Sequence, residues 1–133
     1  MRILFTRFCL LGALLLTLAG WARGQGDQIT AVRSAFANGS SRELAQYLAP
    51  TVEVGFDGDS HSYSATQTEL VVKNFFAKNP PTAFDIVHQG ASNDGIPYAM
   101  CRYTGRNGVY QVFVRLKPKQ PTPTIDTIDF TKQ

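Results

Sequence analysis

Apolar side chains in the segment after residue 25 first recur with the period of a helix. Between Gln28 and Ala37 they lie at i, i+3 and i+7, which predicts a helix over this range. Asn38-Gly39 is a typical helix end, and Ser40 with Glu43 three residues later has the spacing of a capping box. We therefore predict a second helix that starts after Ser40 and ends at Pro50, so that the two form a helical hairpin.

The longest helical pattern runs from Ser64 to Lys78. Ser64 and Gln67 again form a capping box, and Pro80-Pro81 cannot continue a helix. The apolar stripe of this segment is broad, so we expect the helix to lie against a large apolar surface. The stripe consists of Leu70, Val71, Val72, Phe75 and Phe76.

In most of the remaining chain, apolar and polar positions alternate with the period of a strand. Strands are predicted over residues 51–57, 61–63, 82–89 and 124–130, and on either side of Asn107-Gly108. Asn107-Gly108 is a strong hairpin signal and would pair Arg106 with Val109 and Cys101 with Val114. The hairpin face that we expect against the helices carries Ala99, Cys101, Tyr103, Tyr110, Val112, Val114 and Leu116. The opposite face carries Tyr98, Met100, Arg102, Thr104, Gln111, Phe113, Arg115 and Lys117.

This order of elements predicts a single α+β domain over residues 25–133. Helices early in the chain and hairpin-connected strands late in it favour two layers. In such a fold, the helical hairpin and the longer helix pack on one face of a curved antiparallel sheet. The length agrees, because 133 residues suffice for one domain but not comfortably for two.

Several short segments carry a family resemblance. They are Ala35-Phe36-Ala37-Asn38-Gly39, Leu44-Ala45-Gln46-Tyr47-Leu48, Tyr63-Ser64, Phe75-Phe76 with Asn79-Pro80, and His88-Gln89-Gly90. Between roughly Ile29 and Phe130, the chain resembles an exported bacterial family known as domain of unknown function 4783, within the nuclear-transport-factor-2-like (cystatin-like) superfamily. The resemblance implies a cone-shaped α+β fold. It implies no particular reaction, because that superfamily includes isomerases, dehydratases and many non-catalytic binding modules.

Residues 1–24 have the layout of a secretory signal peptide. Arg2 and Arg7 flank a short positive region, an apolar run from Phe8 to Ala19 comes next, and small residues follow that run. The run is shorter than the about 20 residues that a membrane-spanning helix needs. Cleavage after Ala22 and cleavage after Gly24 both fit. We therefore expect an exported protein, periplasmic or extracellular, that meets the membrane only through its export signal.

The net charge of +3 belongs to this export segment. Residues 1–24 contain three of the 13 Lys and Arg residues and none of the 10 Asp and Glu residues, so the remainder is balanced. No nucleic-acid partner is expected, because binding would need a basic face on the folded domain. Cys101 is the one cysteine after residue 24, which excludes an internal disulfide in the mature chain.

His88 is the leading candidate for a functional side chain. It shares the apolar face of its predicted strand with Phe84 and Ile86, and that face would line a cavity between sheet and helices. There it would act as a general base or bind a ligand near neutral pH. The alternative is a histidine bonded to a backbone carbonyl or lying at the sheet margin. The tyrosines that would bring hydroxyls into the same pocket are Tyr47, Tyr63, Tyr103 and Tyr110.

The other groups of candidate residues predict neither a metal site nor a catalytic residue. The segment Asp57-Gly58-Asp59-Ser60-His61 begins like a calcium loop, but Ser62 and Thr68 stand where glycine and glutamate are required. We predict a solvated turn there, and neither a metal site nor a cofactor elsewhere. Cys101 is interpreted as a small buried apolar residue. Asp85 alternates away from the apolar face of its strand, so no carboxylate base is expected in the cavity and no catalytic residue is assigned.

These patterns favour a non-catalytic module of the bacterial envelope that binds an unknown small ligand or an envelope protein. The alternative is a small-molecule isomerase, lyase or hydrolase with a cone pocket around His88. An enzyme would place His88 in an open cavity beside a second polar group, whereas a binding module would have a filled cone and an apolar patch on the opposite sheet face. That face, with Tyr98, Met100 and Phe113, is either a homodimer or partner interface or an ordinary half-exposed sheet.

Overall fold

The computed structural model describes residues 26–117 and 124–133. The predicted export segment and its cleavage positions lie outside the described residues. The helices in the described part are α1 (Gly26–Asn38), α2 (Ser41–Ala45) and α3 (Ala65–Lys78). The strands there are β1 (Leu48–Phe56), β2 (Asp59–Ser64), β3 (Pro81–Ala91), β4 (Pro97–Gly105), β5 (Gly108–Lys117) and β6 (Thr124–Lys132). None of these helices is both long and apolar enough to cross a membrane.

The strands form one six-stranded sheet in the order β2-β1-β6-β5-β4-β3. Every neighbouring pair is antiparallel except β1 and β6, which run parallel. The predicted α+β fold is therefore confirmed, but the sheet is mixed rather than wholly antiparallel. The difference arises because β6 inserts between β5 and β1, and alternation of side chains along a strand does not specify its neighbours.

The inner face of the sheet is packed by aromatic rings from the helices. Phe36 of α1 stacks on Phe84 with ring centroids 4.9 Å apart, and Phe75 of α3 lies 4.4 Å from Phe130. Phe56 in turn stacks on Phe130 at 4.9 Å. The predicted inner face of the β4–β5 hairpin is confirmed, because its apolar members are buried and Tyr110 is half-buried. The buried members are Ala99, Cys101, Tyr103, Val112, Val114 and Leu116.

Helix α3 begins and ends where its sequence predicts. The Ser64 hydroxyl accepts from the backbone N–H of Gln67, and the Gln67 side chain accepts from that of Ser64, each at 3.1 Å. Its apolar stripe is displaced from the predicted one, because Leu70 is 60% exposed and Thr68 is buried. Thr68 can be buried because its hydroxyl donates to the Ser64 carbonyl at 2.8 Å.

Helix α2 is shorter than predicted, with five residues. The Ser40 hydroxyl caps it by accepting from the Glu43 N–H, but the Glu43 carboxylate accepts from Ser34 of α1 at 3.0 Å instead of returning to Ser40. The segment from Leu48 to Pro50 belongs to β1 because Leu48 pairs with Ile125 of β6. Pairing with a distant strand has overridden the helical period.

The β4–β5 hairpin is shifted by two residues from the predicted register. Cys101 pairs with Val112 and Gly105 with Gly108, so Arg106-Asn107 forms the turn. The shift is explained by the end of α3, where the Asn107 amide donates to the Lys78 carbonyl at 2.6 Å. A shift by an even number leaves every side chain on its predicted face, which is why the faces were right and the partners wrong.

Candidate functional site

The space between α1 and the sheet is almost completely filled. It amounts to about 10 Å³, close to the minimum that a single water molecule needs. Its walls include Ile29 and Val32 of α1 and Phe84, Ile86 and Val114 of the sheet. An apolar gap of this size has no room for a substrate.

A larger cleft of about 350 Å³ opens between α3 and the sheet; we call it the helix–sheet cleft. Pockets for small molecules begin at about this size. It is lined by Phe56, Asp57, Val71, Asn74, Phe75, Lys78, Asn79 and Tyr110. Its walls are therefore apolar and aromatic, with polar atoms from a few side chains.

The residues of α3 reach this cleft because of their spacing. Val71, Asn74, Phe75 and Lys78 lie at i, i+3, i+4 and i+7, and so share one side of the helix. Phe75 is buried by ring contacts, including an edge-on contact of 5.1 Å with Tyr110. The polar members of the series, Asn74 and Lys78, are exposed at the edge of the cleft.

The opposite wall is set by the β1–β2 turn. Asp57 and Gly58 both have positive φ angles, 53° and 88°, as a two-residue turn of this hand requires. The Asp57 carboxylate accepts from the backbone N–H of Lys132 at 2.8 Å, which ties the turn to the end of β6. Residues 57–61 are exposed, so the solvated turn predicted there is confirmed.

Three polar groups of the cleft remain available to a ligand. Within the described part of the chain, the amide of Asn74, the ammonium of Lys78 and the hydroxyl of Tyr110 take part in no hydrogen bond. Asn79 is already engaged, because its amide donates to the Phe75 carbonyl at 3.3 Å. The cleft therefore offers one cation and two neutral groups above an apolar floor, and its one carboxylate, Asp57, is held by the Lys132 N–H on the opposite wall.

Tyr103 and Tyr110, two of the predicted pocket residues, lie side by side with ring centroids 6.4 Å apart. Tyr103 is fully buried, and its hydroxyl donates to the backbone carbonyl of Asn79. Burial, and to a lesser extent the neighbouring Tyr110, raises the pKa of Tyr103 above its ordinary value. Tyr103 is therefore a structural anchor for the end of α3, and of the two only Tyr110 faces the cleft.

Tyr47 and Tyr63 are placed elsewhere. Tyr47 lies between α2 and β1, where its carbonyl accepts from the Ile125 N–H at 2.6 Å. Tyr63 lies on the edge strand β2 opposite Val52, with its ring 6.2 Å from that of His61. Among the described residues, no ring contact joins either tyrosine to Tyr103 or Tyr110.

His88 lies on the outer face of the sheet, and its predicted place on the inner face is wrong. The pairing of β3 with β4 shifts between Ile86, opposite Cys101, and His88, opposite Met100. This β-bulge inserts one residue and turns His88 to the other side. His88 is exposed, and its Nε2 lies 3.3 Å from the Tyr98 hydroxyl, so the proposed cavity around it does not exist in the described structure.

The outer face also carries a group of charged side chains. Arg115 forms a two-point ion pair with Asp126, at 3.0 and 3.5 Å. Asp129 is half-buried and lies close over Gly55, where an added Cβ would come within 2.4 Å of its Oδ1. Burial raises the pKa of Asp129, the nearby Glu53 raises it further, and Arg115 lowers it in part.

Two further observations on the described residues concern a nucleophile and a metal site. Cys101 is buried, as predicted, and burial raises the pKa of its thiol to about 12. A thiol of that pKa is not ionised at neutral pH. The described part of the chain contains no group of three or more His, Cys, Asp and Glu side chains that could hold a metal ion.

Sequence reasoning missed most of the helix–sheet cleft. The stripe Val71, Asn74, Phe75 and Lys78 was visible as a helical spacing, and its alternation of apolar with polar residues was the available signal. Phe56 and Asp57 carried no such signal, because their place beside α3 depends on how the sheet curves.

Comparison with known proteins identifies the family. The family model described as "Domain of unknown function (DUF4783)" matches residues 29–131. A crystal structure of a DUF4783 family protein from Bacteroides ovatus is 30% identical, with a TM-score of 0.74 and coverage of 77% of this chain and 93% of that one. A second, from Bacteroides fragilis, is 25% identical, with a TM-score of 0.73 and coverage of 77% and 96%.

More distant structures share the fold alone. An NTF2-like protein of unknown function from Shewanella baltica has a TM-score of 0.60 at 11% identity, covering 79% of this chain and 87% of that one. No curated protein matches the chain. The chain therefore belongs to the DUF4783 family and has the NTF2-like fold, as its five sequence segments suggested.

Proposed function

We propose that this chain is an exported, non-catalytic binding module of the bacterial envelope that holds a small amphipathic ligand in the helix–sheet cleft. The observation that carries the proposal is the cleft itself, an opening of about 350 Å³ with apolar walls and three unengaged polar groups. Export is proposed from the signal-like layout of residues 1–24.

The lining of the cleft defines the ligand class. Val71, Phe56 and Phe75 would contact an apolar or aromatic body, and Phe75 and Tyr110 present ring surfaces to it. The Lys78 ammonium at the edge would attract an anionic head group, which Asn74 would bind through hydrogen bonds. The ligand would therefore be an apolar molecule with a carboxylate, sulfonate or similar group at one end.

The alternative of an isomerase, lyase or hydrolase depended on His88 inside the cone. His88 lies outside it and is hydrogen-bonded to Tyr98. The residues that line the helix–sheet cleft include one carboxylate, Asp57, and no histidine. Asp57 Oδ1 accepts from the Lys132 N–H, which gives this carboxylate a structural role at the β1–β2 turn. Binding is thus the function that the geometry supports best.

The test is fluorescence titration with 1-anilinonaphthalene-8-sulfonate, an aromatic anion of the proposed class. Val71→Trp would fill the cleft and should weaken binding by about tenfold or more. Leu70→Trp is the matched control, because the neighbouring Leu70 is 60% exposed and the change should leave affinity unaltered.

Lys78→Gln should weaken binding of this anion more than Lys73→Gln, which alters an exposed lysine of the same helix.

Equal binding by the Val71→Trp and Leu70→Trp proteins, with both folded as judged by circular dichroism, would contradict the proposal. So would Lys73→Gln reducing the affinity as much as Lys78→Gln does.

A further inference from the structure

The opening of the helix–sheet cleft carries charges of both signs. On the helix side, the exposed ammonium of Lys78 lines the cleft at the end of α3. On the sheet side, the exposed carboxylate of Asp57 lines the opposite wall. A ligand with an anionic head group alone would therefore leave this carboxylate without an opposite charge.

One oxygen of the Asp57 carboxylate is free to bind a ligand. Its Oδ1 accepts from the backbone N–H of Lys132 at 2.8 Å, which fixes the orientation of the carboxylate. Its Oδ2 takes part in no hydrogen bond or ion pair in the described part of the chain. Because an ionised carboxylate has about four acceptor positions, the bond to Lys132 leaves room for a donor from a ligand.

A second lysine lies beside Asp57 on the sheet side. Lys132 of β6 pairs with Tyr110 of β5, so both side chains lie on the inner face of the sheet. The Lys132 chain extends over Gly108, where its Cε lies 3.5 Å from the position of an added Cβ. Lys132 is exposed, and among the residues that the structure describes it forms no ion pair within 4.0 Å. The cleft therefore has the Lys78 ammonium on its helix side and a second ammonium next to its sheet side.

The apolar floor of the cleft lies next to these charges. The ring of Phe75 meets that of Tyr110 edge-on at 5.1 Å, and the ring of Phe56 lies 6.0 Å from Phe75. Val71 completes the apolar wall on the helix side. Aromatic rings at such distances present both faces and edges to a ligand, which suits an aromatic or branched aliphatic side chain.

We propose that the ligand of the helix–sheet cleft is an apolar α-amino acid, bound through both of its charges. The inference rests on the function proposed above and narrows its ligand class. The α-carboxylate binds to the ammonium groups of Lys78 and Lys132, and the Asn74 amide donates to it as well. The α-ammonium donates to Oδ2 of Asp57, and the side chain of the amino acid lies against Phe75. Each polar contact is then a charge-assisted hydrogen bond.

The charges at the opening favour such a zwitterion over an ion of one sign. Lys78 and Lys132 attract a simple anion, but Asp57 repels it. A simple amine is attracted by Asp57 and repelled by both lysines. An α-amino acid meets each of the three groups with the opposite charge, because its ammonium and its carboxylate are attached to the same carbon.

Isothermal titration calorimetry with three compounds that share a phenyl ring tests the inference. L-Phenylalanine carries both charges, 3-phenylpropanoate lacks the ammonium, and 2-phenylethylamine lacks the carboxylate. The wild-type protein should bind L-phenylalanine about tenfold or more tightly than either of the other two compounds, because only L-phenylalanine makes both sets of charged hydrogen bonds.

Asp57→Asn removes the charge that the ammonium needs and keeps the turn. Asparagine can still accept from the Lys132 N–H, and it tolerates the positive φ of 53° at this position. The affinity for L-phenylalanine should fall to that for 3-phenylpropanoate, whose own binding should not weaken. Asp94→Asn, which alters an exposed aspartate in the turn between β3 and β4, is the matched control and should leave both affinities unchanged.

Lys132→Gln is a second variant, in case Asp57→Asn does not fold. It should weaken binding of L-phenylalanine and of 3-phenylpropanoate by the same factor, because Lys132 acts on the carboxylate that the two compounds share. Lys117→Gln, at the other end of β5, is its control and should alter neither affinity.

Equal affinities of the wild-type protein for L-phenylalanine and 3-phenylpropanoate would overturn the inference and leave the proposed function standing. A folded Asp57→Asn protein that still prefers L-phenylalanine would do the same. So would a protein that binds 1-anilinonaphthalene-8-sulfonate, with the expected loss in Val71→Trp, but binds none of the three phenyl compounds. Failure of the proposed function itself is recognised separately, by equal binding of that dye to the Val71→Trp and Leu70→Trp proteins.

Discussion

Asp126 and Asp129 lie three residues apart on β6 in opposite electrostatic surroundings. Asp126 accepts two hydrogen bonds from Arg115, whereas none of the described hydrogen bonds ends on the Asp129 carboxylate. For Asp129, the raised pKa means that the folded state favours the protonated form. Its contribution to stability is therefore present below the ordinary pKa of 3.8 and is lost as the pH rises through the raised value.

Asp129→Asn should therefore raise the free energy of unfolding at neutral pH, and the gain should vanish at a pH below 3.8. Asp126→Asn, the matched control, should lower it at neutral pH by up to about 1 kcal/mol, because it breaks a partly exposed ion pair. Urea denaturation at the two pH values measures both effects. An Asp129→Asn protein that is less stable than wild type at neutral pH would contradict this account of Asp129.

At the scale of single residues, the sequence predicted burial better than it predicted the site. Cys101 and Tyr103 lie on the inner face because alternation along β4 is regular. His88 does not, because one extra residue between Ile86 and His88 reverses the alternation. Nothing in the residues around Val87 marks this bulge, so the pocket predicted around His88 could not have been corrected from the sequence.

Among the elements, α3 depends most clearly on its own local sequence. Its capping box satisfies two backbone N–H groups at the helix start. Ser64→Ala should therefore lower the free energy of unfolding by about 1 kcal/mol. Ser62→Ala, an exposed serine two residues earlier on β2, should change it by much less. Equal effects of the two substitutions in urea denaturation would exclude the capping role of Ser64.

Elements that rely on distant partners were predicted less well. The β4–β5 hairpin takes its register from Asn107, which binds the end of α3 rather than acting in the turn alone. The segment after α2 becomes a strand because Ile125, some 77 positions along the chain, pairs with Leu48. Both outcomes are set by tertiary contacts that override local preference, and a short sequence window does not contain them.

At the scale of the whole molecule, two properties were hidden from composition. The balanced charge after residue 24 gave no sign that the charges are separated across the outer face, with Arg102 on β4 and the carboxylates of Glu53 and Asp129 on β1 and β6. The insertion of β6 between β5 and β1 was equally invisible, and it is this strand that brings Phe130 into the centre of the core. Family resemblance supplied the cone fold correctly.

The cone is solidly packed, so that small molecules bind in the helix–sheet cleft and not in the space between α1 and the sheet. Methyl NMR under xenon pressure tests it most directly, because xenon enters apolar cavities that exist and leaves filled ones unaffected. The account predicts shifts confined to the methyl groups of Val71, with Val112, Val114 and Ile128 unchanged. Saturable shifts at Val112, Val114 or Ile128 would reveal an internal cavity and contradict the account.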